Sequence, residues 1–227
     1  MTDGPWGLFR NARTASARGT LTVVVAAAVL LFGASCCPNP ADIFPTSVGS
    51  VWNMDMVLIA GSAFQGYDTV QTGTMVTTAI EKTYLSTGQE VVKFTSDISI
   101  HVFDPDSVYA ARTESYYRED DGWVFSYATT DDSVGDTVMM SDPKVGATWS
   151  QGTDGSVTVI GQEDVTVGAG TYKKAWKVRT TTTVNGLAAD TYEWYARGAG
   201  LVKIHSEYSL GVYSEVFDQE LVSASIK

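Results

Sequence analysis

Few side chains in this 227-residue chain are placed to do chemistry, and the best placed are two adjacent thiols, Cys36 and Cys37. They follow three arginines (Arg10, Arg13, Arg18), an apolar run from Leu21 to Phe32, and the small residues Gly33, Ala34 and Ser35. A positive segment, a short apolar segment and small residues ahead of a cleavage point make an export signal, which belongs to targeting and not to the fold. The remaining candidates are scattered. His101 alternates with Ile100 and Val102 and so leaves their apolar face, while His205 shares a strand face with Lys203 and Glu207; both are read as solvent-facing. Asp104-Pro105-Asp106, Glu119-Asp120-Asp121 and Asp131-Asp132 with Asp136 offer oxygen ligands of the kind calcium takes, but without a full ligand spacing; they are read as solvated turns. The chain has no G-x-S-x-G, H-E-x-x-H, Walker loop or C-x-x-C. No catalytic residue, metal ligand or cofactor site is therefore assigned. A hydrolase with a site assembled from distant residues stays as the alternative.

The cysteine junction resembles the lipobox of bacterial lipoproteins, in which a cysteine after small residues takes a diacylglyceryl thioether and becomes the mature N-terminus. Cys36, with Ser35 and Ala34 before it, is the expected lipid-attachment residue, although Gly33 stands where the pattern has Leu, Val or Ile. Cys37 as acceptor would place Cys36 before it, a poorer fit, and simple secretion after Ser35 is the competing reading. The apolar run falls short of the ~20 residues that a helix needs to cross hydrocarbon, which argues against an uncleaved anchor. Both cysteines lie at this junction, so the exported domain builds no internal disulfide and depends on an ordinary core.

Charge narrows the partners. The chain carries 15 basic and 26 acidic residues, and removing residues 1–35 leaves 12 basic against 25 acidic. An acidic domain argues against nucleic acid, whose phosphates need clustered Lys and Arg. It also argues against electrostatic docking on anionic lipid, so membrane attachment is expected through the acyl chains alone.

The elements that must position everything else are strands. After a linker over residues 36–41 the composition turns to Val, Thr, Tyr, Ser and Gly, and Asp97–Phe103, Val165–Val167, Lys177–Arg179 and Lys203–His205 alternate with period two. Asn185-Gly186 lies between a Thr/Val run and an aromatic run and predicts a hairpin. Gly198 and Gly200 flank one residue, a spacing suited to positive φ in a tight connection. No sustained helical period follows the leader, so the fold class is all-β and antiparallel.

The chain also resembles itself. Pro45–Trp52 recurs as Pro143–Trp149, and the Tyr117-to-Gly122 spacing recurs from Tyr195 to Gly200. A single domain over 42–227 is expected, with halves of about 42–140 and 141–227. Each half would be a meander of four or five strands, and together they would form a sandwich or a curved half-barrel.

Three segments carry a family resemblance: Phe44-Pro45 through Val48-Gly49 to Trp52, Val167–Tyr172 leading into Ala175–Val178, and Glu193–Lys203 with its Trp194-Tyr195-Ala196 start. Together they resemble the TapB-like group of bacterial envelope lipoproteins. The resemblance implies an antiparallel β-fold at the envelope and names no reaction or catalytic residue.

Trp52, Trp123, Trp149, Trp176 and Trp194 are large surfaces to bury. They are core, or some of them (Trp52, Trp149, Trp176, Trp194) line a concave face for a hydrophobic or glycan ligand. The expectation is a non-enzymatic, lipid-anchored envelope domain, periplasmic or on the outer surface, that binds such a ligand or scaffolds an envelope assembly. Docking of another envelope protein by β-augmentation is the competing mechanism.

Overall fold

The computed structural model describes residues 42–62, 64–151, 155–184 and 187–227. The leader, Cys36, the linker and the Asn185-Gly186 turn lie outside the described residues. The regular structure of the described residues is all strand: β1 (Val51–Ser62), β2 (Gly66–Tyr84), β3 (Glu90–Phe103), β4 (Asp106–Asp120), β5 (Trp123–Tyr127), β6 (Asp136–Met140), β7 (Thr148–Gln151), β8 (Gly155–Val167), β9 (Gly170–Val184), β10 (Leu187–Ala196), β11 (Gly200–Leu210) and β12 (Tyr213–Ser225).

All twelve strands belong to one sheet, in the order β6-β5-β4-β3-β2-β1-β12-β11-β10-β9-β8-β7. Every step but one joins consecutive strands as an antiparallel hairpin. The exception is β1 against β12, which pair from Val51↔Ser225 to Ser62↔Tyr213. The two ends of the order, β6 and β7, come together without pairing, and the rings of Trp123 and Trp149 meet there at 5.5 Å between centroids. The result is a nearly closed barrel, so the curved single sheet is adopted and not the sandwich. Residue 141 does divide the strands evenly, but each side holds six strands where four or five were expected. The excess lies in the short β5, β6 and β7, whose few residues barely alternate.

Alternation decides which face goes inside. Along β1 the burial pattern puts Trp52, Met54, Met56 and Leu58 inward, each no more than 4 % exposed, while Asp55 looks outward. Directly opposed residues of an antiparallel pair share a face, so the register carries this inward row round the wall through Gln219, Ile204, Glu193 and Val178. The turns follow the local chemistry. Asp121 (φ 48°) and Gly122 (φ 77°) form the two-residue link between β4 and β5, the Asp-Gly pair that suits strands of right-handed twist. Gly198 and Gly200 take the positive φ angles that their spacing predicts, 73° and 81°.

One end of the barrel is plugged by the segment that enters β1. Ile43 and Phe44 are 1 % and 4 % exposed, and the Phe44 ring lies 5.3 Å from that of Tyr117 and 6.4 Å from that of Tyr195. The Gly198 N–H donates to the Asp42 carbonyl at 2.7 Å, fixing the plug to the β10–β11 turn. This plugged end also holds the β2–β3, β4–β5 and β8–β9 turns. The β1–β2, β3–β4 and β11–β12 turns mark the opposite, upper end.

Gly73 on β2 shows how closely the wall is built. A Cβ there would lie 2.6 Å from the Ser99 carbonyl oxygen and 3.1 Å from Met56 Cε. Gly73→Ala is expected to lose about 1–3 kcal/mol in urea unfolding, since the strand itself must shift. Gly161→Ala, where an added Cβ meets nothing within 4 Å, should stay within about 0.5 kcal/mol of the parent. Equal losses at both sites would contradict the close approach.

Candidate functional site

The four tryptophans Trp52, Trp149, Trp176 and Trp194 fall on two faces of the wall. Trp52 is 3 % exposed, and its indole N–H donates to the Ala199 carbonyl at 3.0 Å. Trp176 stands opposite Tyr195, and Trp149 opposite the buried Val157; both face inward, with indole N–H groups that meet no acceptor among the described residues. Trp194 is on the outer face, opposite Lys177 and Lys203. There the Lys177 ammonium sits 4.7 Å from its ring centre and that of Lys203 6.0 Å, leaving the residue only 7 % exposed. The Trp194 N–H donates to Glu163 Oε1 at 2.7 Å, and Lys177 reaches the same oxygen at 3.1 Å. The indole bond, and then the ammonium, hold the Glu163 carboxyl below its ordinary pKa. This cluster staples β8, β9, β10 and β11 from outside and leaves no open ring face for a ligand.

The interior between β1, β3 and β12 is closely filled. The gap bounded by Met56, Leu58, Ile100 and Phe217 amounts to about 10 Å³, the room of one water at most, whereas ligand pockets run to ~300–1,000 Å³. A larger hollow, about 410 Å³, is a shallow depression on the outer face over Asp55, Val57, Thr72, Thr74, Ser99 and His101, with no tryptophan in its lining. Another of about 250 Å³ lies beside the plug, between Phe44, Glu119, Asp142 and Arg197.

The histidines are both on the outer wall. His101 Nε2 lies 2.5 Å from Asp106 Oδ1, and His205 Nδ1 lies 2.8 Å from Asp218 Oδ1. Neither carboxylate is buried, and no serine completes a relay among the bonds of the described residues. Asp132 of the acidic β5–β6 loop accepts the backbone N–H groups of Ala128 and Thr129 at 2.9 and 2.8 Å, so it closes its own turn. Among the described residues no three His, Cys, Asp or Glu side chains gather as metal ligands.

A carboxylate that sequence reading did not single out as special lies inside the barrel. Glu193 is 4 % exposed, and its one described bond is from the Tyr195 hydroxyl, 3.1 Å from Oε2. Burial pushes its pKa up to about 7, and burial beside Glu193 raises the Tyr195 phenol well above its ordinary value. Alternation already separates Glu193 and Tyr195 from Tyr192 and Trp194; the sequence does not say which pair faces inward.

The feature with the most unused capacity is a strand edge. β3 accompanies β4 along its length from Asp106 to Tyr117, but β5 covers the other side only from Tyr116 to Asp120. From Asp106 to Ser115 that outer edge has no neighbouring strand among the described residues. Val108 and Tyr109 are 69 % and 60 % exposed on it. Elsewhere the sheet blunts its edges: β6 and β7 are very short, the 144–147 segment bonds to Val159, and β8 beyond it carries two register shifts. The β4 edge is long and has no proline, lysine or bulge, so of the devices that normally stop a strand from recruiting another it carries only the charges of Asp106, Arg112 and Glu114.

No family model and no curated protein matches the chain. Two solved structures resemble it. One is an exported-protein candidate with a YmcC-like fold from Bacteroides fragilis NCTC 9343, with TM-score 0.46 and 12 % identity over 81 % of this chain and 99 % of that one. The other is a candidate lipoprotein from Parabacteroides distasonis ATCC 8503, with TM-score 0.43 and 16 % identity over 81 % and 98 %.

Proposed function

We propose that the chain is a lipid-anchored, non-enzymatic protein of the bacterial cell envelope that scaffolds an assembly by docking protein along the free upper edge of β4. The observation that carries this reading is that edge, from Asp106 to Ser115, open where every other edge of the sheet is short, bulged or covered. Main-chain N–H and C=O groups on such an edge supply affinity to an added strand, and alternate side chains supply selectivity. The filled interior at Met56 and Phe217 weighs against a carried lipophile or glycan. The lipobox-like junction Ala34-Ser35-Cys36 supports attachment through Cys36. Only five residues separate Cys36 from Asp42, so the plugged end sits within about 20 Å of the attachment point, with the β3–β4 turn and the free edge at the opposite end. The sequence repeats support a duplicated architecture as well, since Trp52 and Trp149 are each the second residue of their strand and Tyr117 and Tyr195 each fall late in theirs.

The test is photo-crosslinking in cells, with benzoylphenylalanine in place of Val108 on the edge or His205 on the paired wall of the full chain. A discrete protein adduct from position 108 and none from 205 is expected. Equal labelling at both positions, or no adduct with a lipophile carried through purification, would sink the docking reading. Palmitate labelling lost on Cys36→Ala reports on the anchor separately.

A further inference from the structure

The open stretch of β4 is complementary to itself. When two copies of one strand pair about a two-fold axis normal to the sheet, residues equidistant from the axis stand opposite each other on the same face. With the axis at Tyr109, Asp106 of each copy meets Arg112 of the other, Ser107 meets Ala111, Val108 meets Ala110, and the two Tyr109 rings adjoin. Shifting the axis to Ala110 sets Asp106 against Glu114 at both ends, which is repulsive. Shifting it to Val108 shortens the pairing to Asp106–Ala110 and leaves Arg112 beyond the strand, against the β3–β4 turn. An axis at Ala111 pairs Ser107 with Ser115 and Ala110 with Arg112 and brings no opposite charges together, so charge complementarity favours the axis at Tyr109.

The groups involved are free to take part. The Asp106 and Arg112 side chains are 85 % and 62 % exposed. Each already has one partner within its own chain, His101 for Asp106 and Asp97 for Arg112 at 3.0 Å, and a carboxylate or guanidinium can accept another. Nothing must be unburied to form the contact.

We propose that the docking partner of this edge is a second copy of the same chain, with the two β4 strands antiparallel about an axis at Tyr109. The inference rests on the tethered, edge-docking reading above and gives it a partner. One strand pair is far smaller than the ~1,600 Å² of a standard stable interface, so in dilute solution the dimer is weak. Confinement of both copies to one membrane raises their effective concentration and makes a weak edge sufficient.

The experiment is disulfide trapping in the full chain, in a Cys37→Ala background, on membranes from expressing cells under mild oxidation. Tyr109→Cys, whose thiols meet on the axis, is expected to give a product of twice the chain mass well above the Cys37→Ala baseline. Ser107→Cys and Ala111→Cys should each trap several-fold less alone, and should join to each other when co-expressed. A Tyr109→Cys chain that stays monomeric, or joins a different protein, overturns the inference; a Val108 adduct to that other protein would leave the docking reading intact. If the chain fractionates as soluble and unlabelled by palmitate, the tether reading fails, and the same trap on the concentrated purified chain still decides the pairing.

Discussion

Phe44→Ala is expected to remove about 3–5 kcal/mol of stability, the range for deleting a fully packed aromatic ring. The ring is 4 % exposed and lies between Tyr117 of β4 and Tyr195 of β10, strands from opposite sides of the barrel. It cannot be replaced by collapse, because the neighbouring turns are fixed by the Gly198-to-Asp42 bond and by Trp52 bonding Ala199. Against a total of roughly 5–15 kcal/mol for a domain of this size the loss is large. Phe44→Leu keeps most of the volume and should lose about 1.5 kcal/mol or less; Val48→Ala, at a residue 39 % exposed, should change little. Urea unfolding followed by tryptophan fluorescence ranks the three. If Phe44→Ala and Val48→Ala unfold together, the segment does not plug the barrel.

The second large effect is on pH. Glu193 has a folded-state pKa of about 7 against an ordinary 4.5, because burial disfavours its charge. Between these values the folded chain binds the proton and the unfolded chain releases it. Stability is therefore full below pH 4.5, falls as pH rises through 7, and is level above. The whole fall is on the order of 3 kcal/mol. Burial raises Glu215 in the same sense. Glu163 acts the other way: its carboxyl is held low by Trp194 and Lys177, so its contribution is present at neutral pH and fades on acidification below its ordinary pKa. The stability optimum is thus expected in mildly acidic solution, near the lower end of the Glu193 window. Glu193→Gln keeps an oxygen for the Tyr195 hydroxyl and removes the titration. It should match the parent near pH 4.5 and exceed it by about 3 kcal/mol at pH 8. Parallel urea midpoints across this range would show that Glu193 is not buried in ionisable form.

Period-two patterning made the strands legible, and the reason it stopped there is physical. Asp97–Phe103, Val165–Val167, Lys177–Arg179 and Lys203–His205 fall in β3, β8, β9 and β11, where one face packs and the other is wet. Strand order was not legible, since nothing local in Val51–Ser62 reports that Tyr213–Ser225 will lie beside it. The inward face of β10 misleads by hydropathy: Glu193 goes inside and Trp194 outside, because two lysine stems and a carboxylate cover the indole while the Tyr195 hydroxyl satisfies the acid. The free edge of β4 is a relation between strand lengths, with β5 ending opposite Tyr116, and a single strand's residues do not encode its neighbour's end.

The pairing of the first strand with the last also sets the order of events in folding. Asn53 and Ser223, whose side chains bond at 2.9 Å, are 170 residues apart in the chain. Contacts of such high order form slowly, because the loop between them must be closed before they return any stabilisation. A polypeptide delivered from its N-terminus can zip β1 to β6 one hairpin at a time, yet β1 keeps a raw edge until β12 arrives. Losing even the final strand would leave the ring with a second open slot and expose Met54, Met56 and Leu58 beside it.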